Sequence, residues 1–347
     1  MIAPVTVLLG VGWIEWTPQR VRWVLCAATV GVLSLLLFSV PAGVERSALL
    51  APADLAYLAD EDITPVGIEY GDELYLVGYA TDEATVARGQ TLTVRLIWLA
   101  RKRPAEDYTV SVEVTGRQRM QVGIADSMPG GGRLPTSNWI PGQITQDEIM
   151  VPISPLANTP SKGDIRVTVY RGAKESAIEA MAPNGARLGT SPSIGTVRLV
   201  PPSDVRYEPA GSTDITFGSG IRLFGFSVTP AQPELGSPWT VDLYWEAVGP
   251  IHQDYTVFCH LVNAYGRILA QTDEQPLQGD YPSSMWREGE QVHDSHVLQV
   301  PETMQGEPFY LLVGLYNAET GERLDYATTD GMKSDHVTLG PLLPTEP

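Results

Sequence analysis

Histidine and acidic side chains are the residues of this 347-residue chain that could do acid–base or metal chemistry, and the five histidines all lie between positions 252 and 336. The densest grouping is His293, Asp294, Ser295 and His296. If this segment is a strand, His293 and His296 project from opposite faces, because successive side chains alternate. Two imidazoles on opposite faces cannot bind one ion, so the spacing predicts no transition-metal site here.

Other carboxylates recur without the partners that catalysis needs. Asp107 and Asp254 each precede Tyr-Thr-Val, with no nucleophile or base at a matching spacing, and we expect them to cap turns through Asx hydrogen bonds. Acidic residues in 273–280 and 317–322 leave calcium binding open, although neither segment has EF-hand spacing. The chain lacks the G-x-S-x-G, P-loop, H-E-x-x-H and paired C-x-x-C motifs. The sequence therefore predicts no catalytic residue, no cofactor and no metal ligand, and a chain that is not itself an enzyme.

Two pairs of tryptophans are candidates for contact with a sugar. Trp98 and Trp245 alternate in phase with apolar neighbours and should face a core. Trp139 and Trp286 each end a Pro-[Thr/Ser]-Ser-x-Trp loop. Together with Tyr281 they could contact a ligand, since sugars stack on exposed aromatic faces. The alternative is that both loop tryptophans plug the gap between two sheets.

The elements that position these residues occur twice. Segments of similar sequence recur at a constant offset of 147 positions: 76–79 with 223–226, 92–98 with 239–245, 107–110 with 254–257, 134–142 with 281–289, and Asp147 with Asp294. An offset that stays constant over about 70 positions indicates two copies of one domain.

Each copy has the pattern of short strands. Apolar and polar residues alternate with period two, as in 239–245, and the 33 glycines and 28 prolines supply turns. The pattern predicts an all-β fold of two tandem antiparallel β-sandwiches after an N-terminal transmembrane helix. We place the first sandwich at 65–200 and the second at 215–342, with a linker at 201–214 and a tail at 343–347.

A membrane anchor is predicted at 20–42. This segment contains an uncharged run of 18 residues from Trp23 to Val40 and, with its flanks, reaches about the 20 residues needed to span a bilayer. Arginines on its N-terminal side put the N-terminus in the cytoplasm, so we expect a single-pass protein of the cell membrane with both sandwiches extracytoplasmic after a linker at 43–64. A cleaved signal peptide is the alternative. Residues 1–19 begin with a short apolar segment that could be the remnant of a helix.

Charge excludes one class of partner. The chain has 23 basic and 41 acidic residues and a net charge of −18, which would repel nucleic-acid phosphates. Residues 205–347 hold 20 acidic against 6 basic residues, so the second sandwich carries most of this charge. The expected partners are the membrane, through 20–42, and a glycan or a membrane protein.

Several motifs together resemble a known module. They are Trp245 to Val257, His260-Leu261-Val262, Tyr281 to Glu290, Val313 to Leu324 and, in the first copy, Gly130 to Trp139. These segments resemble the C-terminal β-sandwich module of some bacterial membrane glycosyltransferases, which are themselves similar to the dolichyl-phosphate-mannose protein mannosyltransferase family. The resemblance covers most of 60–342. It implies no catalytic residue here, since catalysis in that family belongs to loops between N-terminal transmembrane helices.

The sequence therefore leaves two functions open. The first is a non-catalytic, membrane-anchored, extracytoplasmic tandem β-sandwich that binds something, such as a glycan. The alternative is the C-terminal part of a membrane glycosyltransferase that uses a lipid-linked sugar donor, with the catalytic region outside this chain.

Overall fold

The computed structural model describes residues 6–8, 13–15, 63–302, 308–327 and 333–342. Their regular structure is almost entirely β-strand, with only short 3₁₀ turns besides, which confirms the all-β prediction.

The N-terminal part contains a short hairpin, in which β1 (Thr6–Leu8) pairs antiparallel with β2 (Trp13–Glu15). Strands thus stand where the apolar start was expected to be the remnant of a helix. Gly10 and Gly12 between them disfavour helix. The described residues contain no helix with the length and apolar character that a membrane crossing requires. The predicted anchor at 20–42 lies outside them.

The first domain is a sandwich of two sheets. One has the order β12-β11-β3-β4-β6-β9 and the other β5-β13-β10-β7-β8, antiparallel except for β5 beside β13. The strands are β3 (Thr64–Tyr70), β4 (Leu74–Thr81), β5 (Thr85–Ala87), β6 (Thr91–Ala100), β7 (Thr109–Thr115), β8 (Gln121–Ser127), β9 (Ile144–Pro152), β10 (Ser161–Tyr170), β11 (Ala180–Met181), β12 (Arg187–Gly189) and β13 (Ser193–Val200).

The second domain repeats this plan with sheets β14-β15-β16-β19 and β18-β17-β20-β23, and a separate pair β21-β22. Its strands are β14 (Gly211–Phe217), β15 (Ile221–Thr229), β16 (Pro238–Ala247), β17 (Thr256–Asn263), β18 (Ile268–Glu274), β19 (Gln291–Gln299), β20 (Phe309–Tyr316), β21 (Tyr326–Ala327), β22 (Lys333–Ser334) and β23 (Val337–Leu342). The domain begins at Gly211, inside the segment predicted as a linker, because Gly211 already pairs with Phe226.

The two domains share their irregularities as well as their strands. The register of β4 against β6 shifts between Leu76 and Gly78, and that of β15 against β16 shifts 147 positions later, between Leu223 and Gly225. A Cβ on Gly78 or on Gly225 would lie 2.7 Å from a carbonyl oxygen of the neighbouring strand. Only glycine therefore fits at either bulge.

One tryptophan of the central strand is buried at the equivalent position in each sandwich. Trp98 and Trp245 are fully buried, as their alternation predicts. The ring centroid of Trp98 lies 5.7 Å from that of Tyr70, and Trp245 lies 6.2 Å from Phe217, which occupies the equivalent position. Edge-to-face and tilted contacts at these separations add to the stability that burial of the rings provides.

Candidate functional site

The loop tryptophans are buried in the cores of the two sandwiches. Trp139 is 2% exposed and Trp286 is 4% exposed. The indole Nε1 of Trp139 donates to the carbonyl of Leu134, and that of Trp286 donates to the carbonyl of Tyr281, both at 3.1 Å. Neither ring offers a face on which a sugar could stack, so the geometry supports the plug between sheets and not the predicted ligand contact.

The same loops are fixed by the aspartates that precede β7 and β17. Asp107 Oδ1 accepts from the backbone N–H of Ser137 at 2.9 Å, and Asp254 Oδ1 accepts from that of Ser284 at 3.1 Å. The bonds are not the local Asx caps that the sequence predicts, because each aspartate binds a loop residue 30 positions further along the chain. These carboxylates stabilise the loops that end at the two tryptophans.

A buried carboxylate in each domain pins a second loop. Asp147 Oδ1 accepts from the N–H of Gly130, and Asp294 Oδ1 accepts from that of Leu277, both at 2.8 Å. The other oxygen differs between the domains. Asp147 Oδ2 is buried without a hydrogen-bond partner, whereas Asp294 Oδ2 pairs with His296 Nε2 at 2.9 Å.

The buried pair of the second domain extends to a hydroxyl. His296 is 1% exposed, and its Nδ1 lies 3.1 Å from Thr272 Oγ1 on β18. Burial acts to lower the pKa of His296, but the hydrogen bond and charge of Asp294 outweigh it, so the pKa is raised above its usual value.

The first domain lacks this hydroxyl–imidazole–carboxylate line of hydrogen bonds, because Ile149 and Ala125 occupy the positions of His296 and Thr272 there. Burial there raises the pKa of Asp147, and the N–H of Gly130 opposes the shift. The sequence argument missed this line because it compared His293 with His296. The alternation places Asp294 and His296, two residues apart, on one face.

His293 lies on the opposite face of β19, as predicted, where it joins an aromatic surface. Its ring stacks on Tyr244 with centroids 4.9 Å apart and an angle of 11° between the planes. Tyr207, from the segment before β14, lies 5.6 Å from both rings. Asp242 Oδ1 contacts His293 Nε2 at 2.7 Å and accepts a short hydrogen bond from Ser295. We name Tyr207, Tyr244, His293, Asp242 and Ser295 the outer strip.

Tyr281, the third predicted ligand contact, belongs to the junction between the domains. Its ring is fully buried, and its hydroxyl accepts from Arg198 Nε at 2.6 Å. Arg198, on β13 of the first domain, also pairs with Glu290 of the second at 2.5 Å. The prediction that Tyr281 contacts a ligand is therefore not supported, because its polar atom is used to join the domains.

A cleft of about 470 Å³ opens beside this junction and leads to the outer strip through Tyr207 and Gln291. The backbone N–H of Tyr207 donates to Gln291 Oε1 at 3.1 Å. Arg206 and Arg287 also line the cleft, two of the six basic residues in 205–347. In the described part of the chain, no three histidine, cysteine or acidic side chains come together as a metal site would require.

Comparison with known proteins does not assign this chain to a family. No protein-family model matches the chain, and no curated protein matches it either. The site is therefore interpreted from its geometry alone.

Proposed function

We propose that the chain is a non-catalytic, membrane-anchored, extracytoplasmic tandem β-sandwich that binds a glycan on the second domain. The observation that carries this proposal is the outer strip, where stacked half-exposed rings lie beside a carboxylate, an imidazole and a hydroxyl. Anchor, location and ligand class rest on the sequence argument and on this surface chemistry.

The outer strip offers the two kinds of contact that a sugar needs. Tyrosine presents an apolar ring face with a polar edge, which suits the mixed C–H and hydroxyl surface of a pyranose. Asp242 accepts through one oxygen from His293 and Ser295, and a carboxylate has acceptor capacity beyond those two bonds. Asp242 and Tyr244 lie two residues apart on the same face of β16, so a sugar that contacts the exposed part of Tyr244 is next to this carboxylate.

The first domain gives an internal comparison for the surface. The positions of Tyr244, His293 and Asp242 are occupied there by Ile97, Gln146 and Arg95. Ile97 is fully buried, so the first domain has no exposed ring at this point. The binding surface therefore belongs to the second domain.

The alternative function, an accessory part of a membrane glycosyltransferase, rests on the motifs that carry the resemblance. Two of those motifs, Tyr281 to Glu290 and Gly130 to Trp139, form the loops that the buried tryptophans close, so they explain the fold of the module better than an activity. Either function leaves this chain without its own catalytic group. We expect the purified chain to turn over neither glycosides nor lipid-linked sugars.

The test is binding of a glycan panel by the full chain in detergent, with Tyr244→Ala and His293→Gln as variants. We expect at least one glycan to bind and each variant to weaken that binding at least tenfold. Tyr265→Ala is the matched control, since Tyr265 is an exposed tyrosine of the same domain away from the outer strip. Equal binding by the wild type and the two variants would refute the assignment of the site. A rate of glycoside or lipid-linked sugar turnover that His296→Ala abolishes in a folded protein would refute the non-catalytic function.

A further inference from the structure

Tyr108 and Tyr255 occupy the same position in the two domains. The backbone N–H of Tyr108 donates to Thr136 Oγ1, and that of Tyr255 donates to Ser283 Oγ, both at 2.9 Å. The two hydroxyls differ in their partners. Tyr108 Oη donates to a carboxylate oxygen of Glu73 at 2.5 Å, and Tyr108 is only 2% exposed. In the first domain, therefore, a side chain of the chain itself supplies the acceptor for this hydroxyl.

The second domain has a pocket in the place of that side chain. Gly220 stands at the position of Glu73, since its carbonyl accepts from the N–H of Val248 as that of Glu73 accepts from Arg101, 147 positions earlier. A pocket of about 280 Å³ borders on both Gly220 and Tyr255, and this tyrosine is half-buried. The apolar side chains that line the pocket are Phe217, Ile221, Ile251 and Leu324.

A chain of hydrogen bonds fixes the direction in which Tyr255 Oη donates. Asn317 Oδ1 accepts from the backbone N–H groups of Glu319 and Thr320, at 2.8 Å and 3.1 Å. Asn317 Nδ2 is therefore the donor to Gln253 Oε1 at 3.1 Å, and Gln253 Nε2 in turn donates to Tyr255 Oη at 2.6 Å. Because the hydroxyl oxygen accepts from the amide, its own proton is free to donate, and no described residue accepts it.

The charge around the pocket favours a neutral occupant. In the first domain the guanidinium of Arg171 lies 4.8 Å from the centre of the Tyr108 ring. Asn317 stands at the position of Arg171, since each follows the tyrosine that pairs with the first residue of β7 or β17. No lysine, arginine or acidic residue is among the described residues that line the pocket. Burying a carboxylate without a cation costs more than burying a neutral carbonyl, so a neutral group with the shape of the Glu73 carboxylate fits better.

We infer that this pocket binds a small neutral ligand through an acetamido group. The carbonyl oxygen of the ligand takes the place of the Glu73 carboxylate and accepts from Tyr255 Oη, and its methyl group packs on Phe217 and Leu324. A volume of about 280 Å³ is near the lower limit for small-molecule sites, so the pocket takes one sugar or amino-acid unit. It shares no residue with the outer strip, so the inference does not rest on the site proposed there.

Saturation-transfer difference NMR of the full chain in detergent tests this inference. The probes are N-acetylglucosamine and N-acetylalanine amide, with glucose and glucuronate as competitors. We expect an acetylated probe to bind, with the strongest saturation at its acetyl methyl group, and we expect neither competitor to displace it. The acetylated probe that binds more tightly identifies the source of the acetamido group as an amino sugar or a peptide.

Four variants assign the binding to the pocket. Tyr255→Phe keeps the ring and removes the donor, so it should weaken binding at least fivefold. Gly220→Glu supplies the acceptor from the chain, as in the first domain, and should abolish binding. Tyr265→Phe removes an exposed hydroxyl of the same domain and is the matched control, and Tyr244→Ala alters only the outer strip. Both of these should bind the probe as the wild type does, which distinguishes a failure of this pocket from a failure of the outer strip.

Thermal melts establish that each variant is folded. The inference would be overturned if neither acetylated probe binds, if folded Tyr255→Phe binds as tightly as the wild type, or if glucuronate displaces the acetylated probe.

Discussion

Replacing His296 with isoleucine should leave one oxygen of the buried Asp294 carboxylate without a hydrogen-bond partner. Asp294 would keep its hydrogen bond from Leu277 and would lose its bond to the imidazole. Its environment would then match that of Asp147, which lies on the same strand face as Ile149 and has one oxygen unpaired. Removing one partner of a buried ion pair typically costs about 3–5 kcal/mol. At about 4 °C per kcal/mol for a domain of this size, the second domain should melt about 12 to 20 °C lower near pH 6.

The pH dependence gives a sharper readout than the melting temperature alone. The pKa of His296 is raised in the folded state, so its stabilising charge is fully present below the unfolded value of about 6.5 and is lost as pH rises through the folded pKa. In His296→Ile the remaining carboxyl should behave like Asp147, whose pKa is raised. The protonated form of this carboxyl would then stabilise the fold fully below its unfolded pKa of about 3.9, and the contribution would be lost as pH rises through the folded pKa.

The measurement is calorimetry of the full chain from pH 3.5 to pH 8, with His293→Gln as control. This control removes an imidazole from the outward face of the same strand, where an exposed pair contributes at most about 1 kcal/mol. The difference between wild type and His296→Ile should be largest between pH 5 and pH 6.5 and should shrink below pH 4. A variant that loses no more stability than His293→Gln, or a loss that is constant with pH, would refute the reasoning.

Three further changes test the packing, the strained loop and the junction. Trp245→Ala should destabilise the second domain by about 3–5 kcal/mol in thermal melts, because it empties the centre of the core. Gln278→Gly should leave stability unchanged or raise it by up to about 1 kcal/mol in denaturant unfolding, since glycine relieves the left-handed φ as Gly131 does in the first domain. Arg198→Met should divide the single calorimetric transition of the two domains into two transitions, because it breaks the buried ion pair between them. The control Lys102→Met removes an exposed ion pair within the first domain and should leave one transition.

The repeat and the strands could be predicted from the sequence because both depend on local pattern. Period-two alternation fixes which side chains of a strand face inward, so the buried positions of β16 follow from its residues. In β6 the alternation predicts Leu92, Val94, Leu96 and Trp98, but Ile97 and Leu99 on the other face are buried as well. The partners of Asp107 and Asp254 do not follow from the sequence in this way, because each aspartate binds a loop 30 positions away and does not cap its own turn. For the two membrane-proximal predictions, the anchor at 20–42 and the linker at 43–64, the described residues provide no test.

The site itself depends on contacts that no local pattern contains. Arg198 reaches Tyr281 across 83 positions, and Thr272 reaches His296 only because the edges of two sheets meet. The one signal available in advance was a difference between the copies. Tyrosine at 281 replaces leucine at 134, which indicates a polar atom with a partner that the first domain does not provide.

Differences between equivalent positions therefore indicate more about function in this chain than similarities do. The shared residues, such as Trp139 and Trp286, are used in both domains to close the same loop, so they are accounted for by folding. The differing residues have no such common use. Tyr244 and His293 form a surface, Tyr281 forms a junction, and the first domain has none of these. Because one scaffold supports both sets, a substitution at a differing position should change binding or association before it changes the fold of the sandwich.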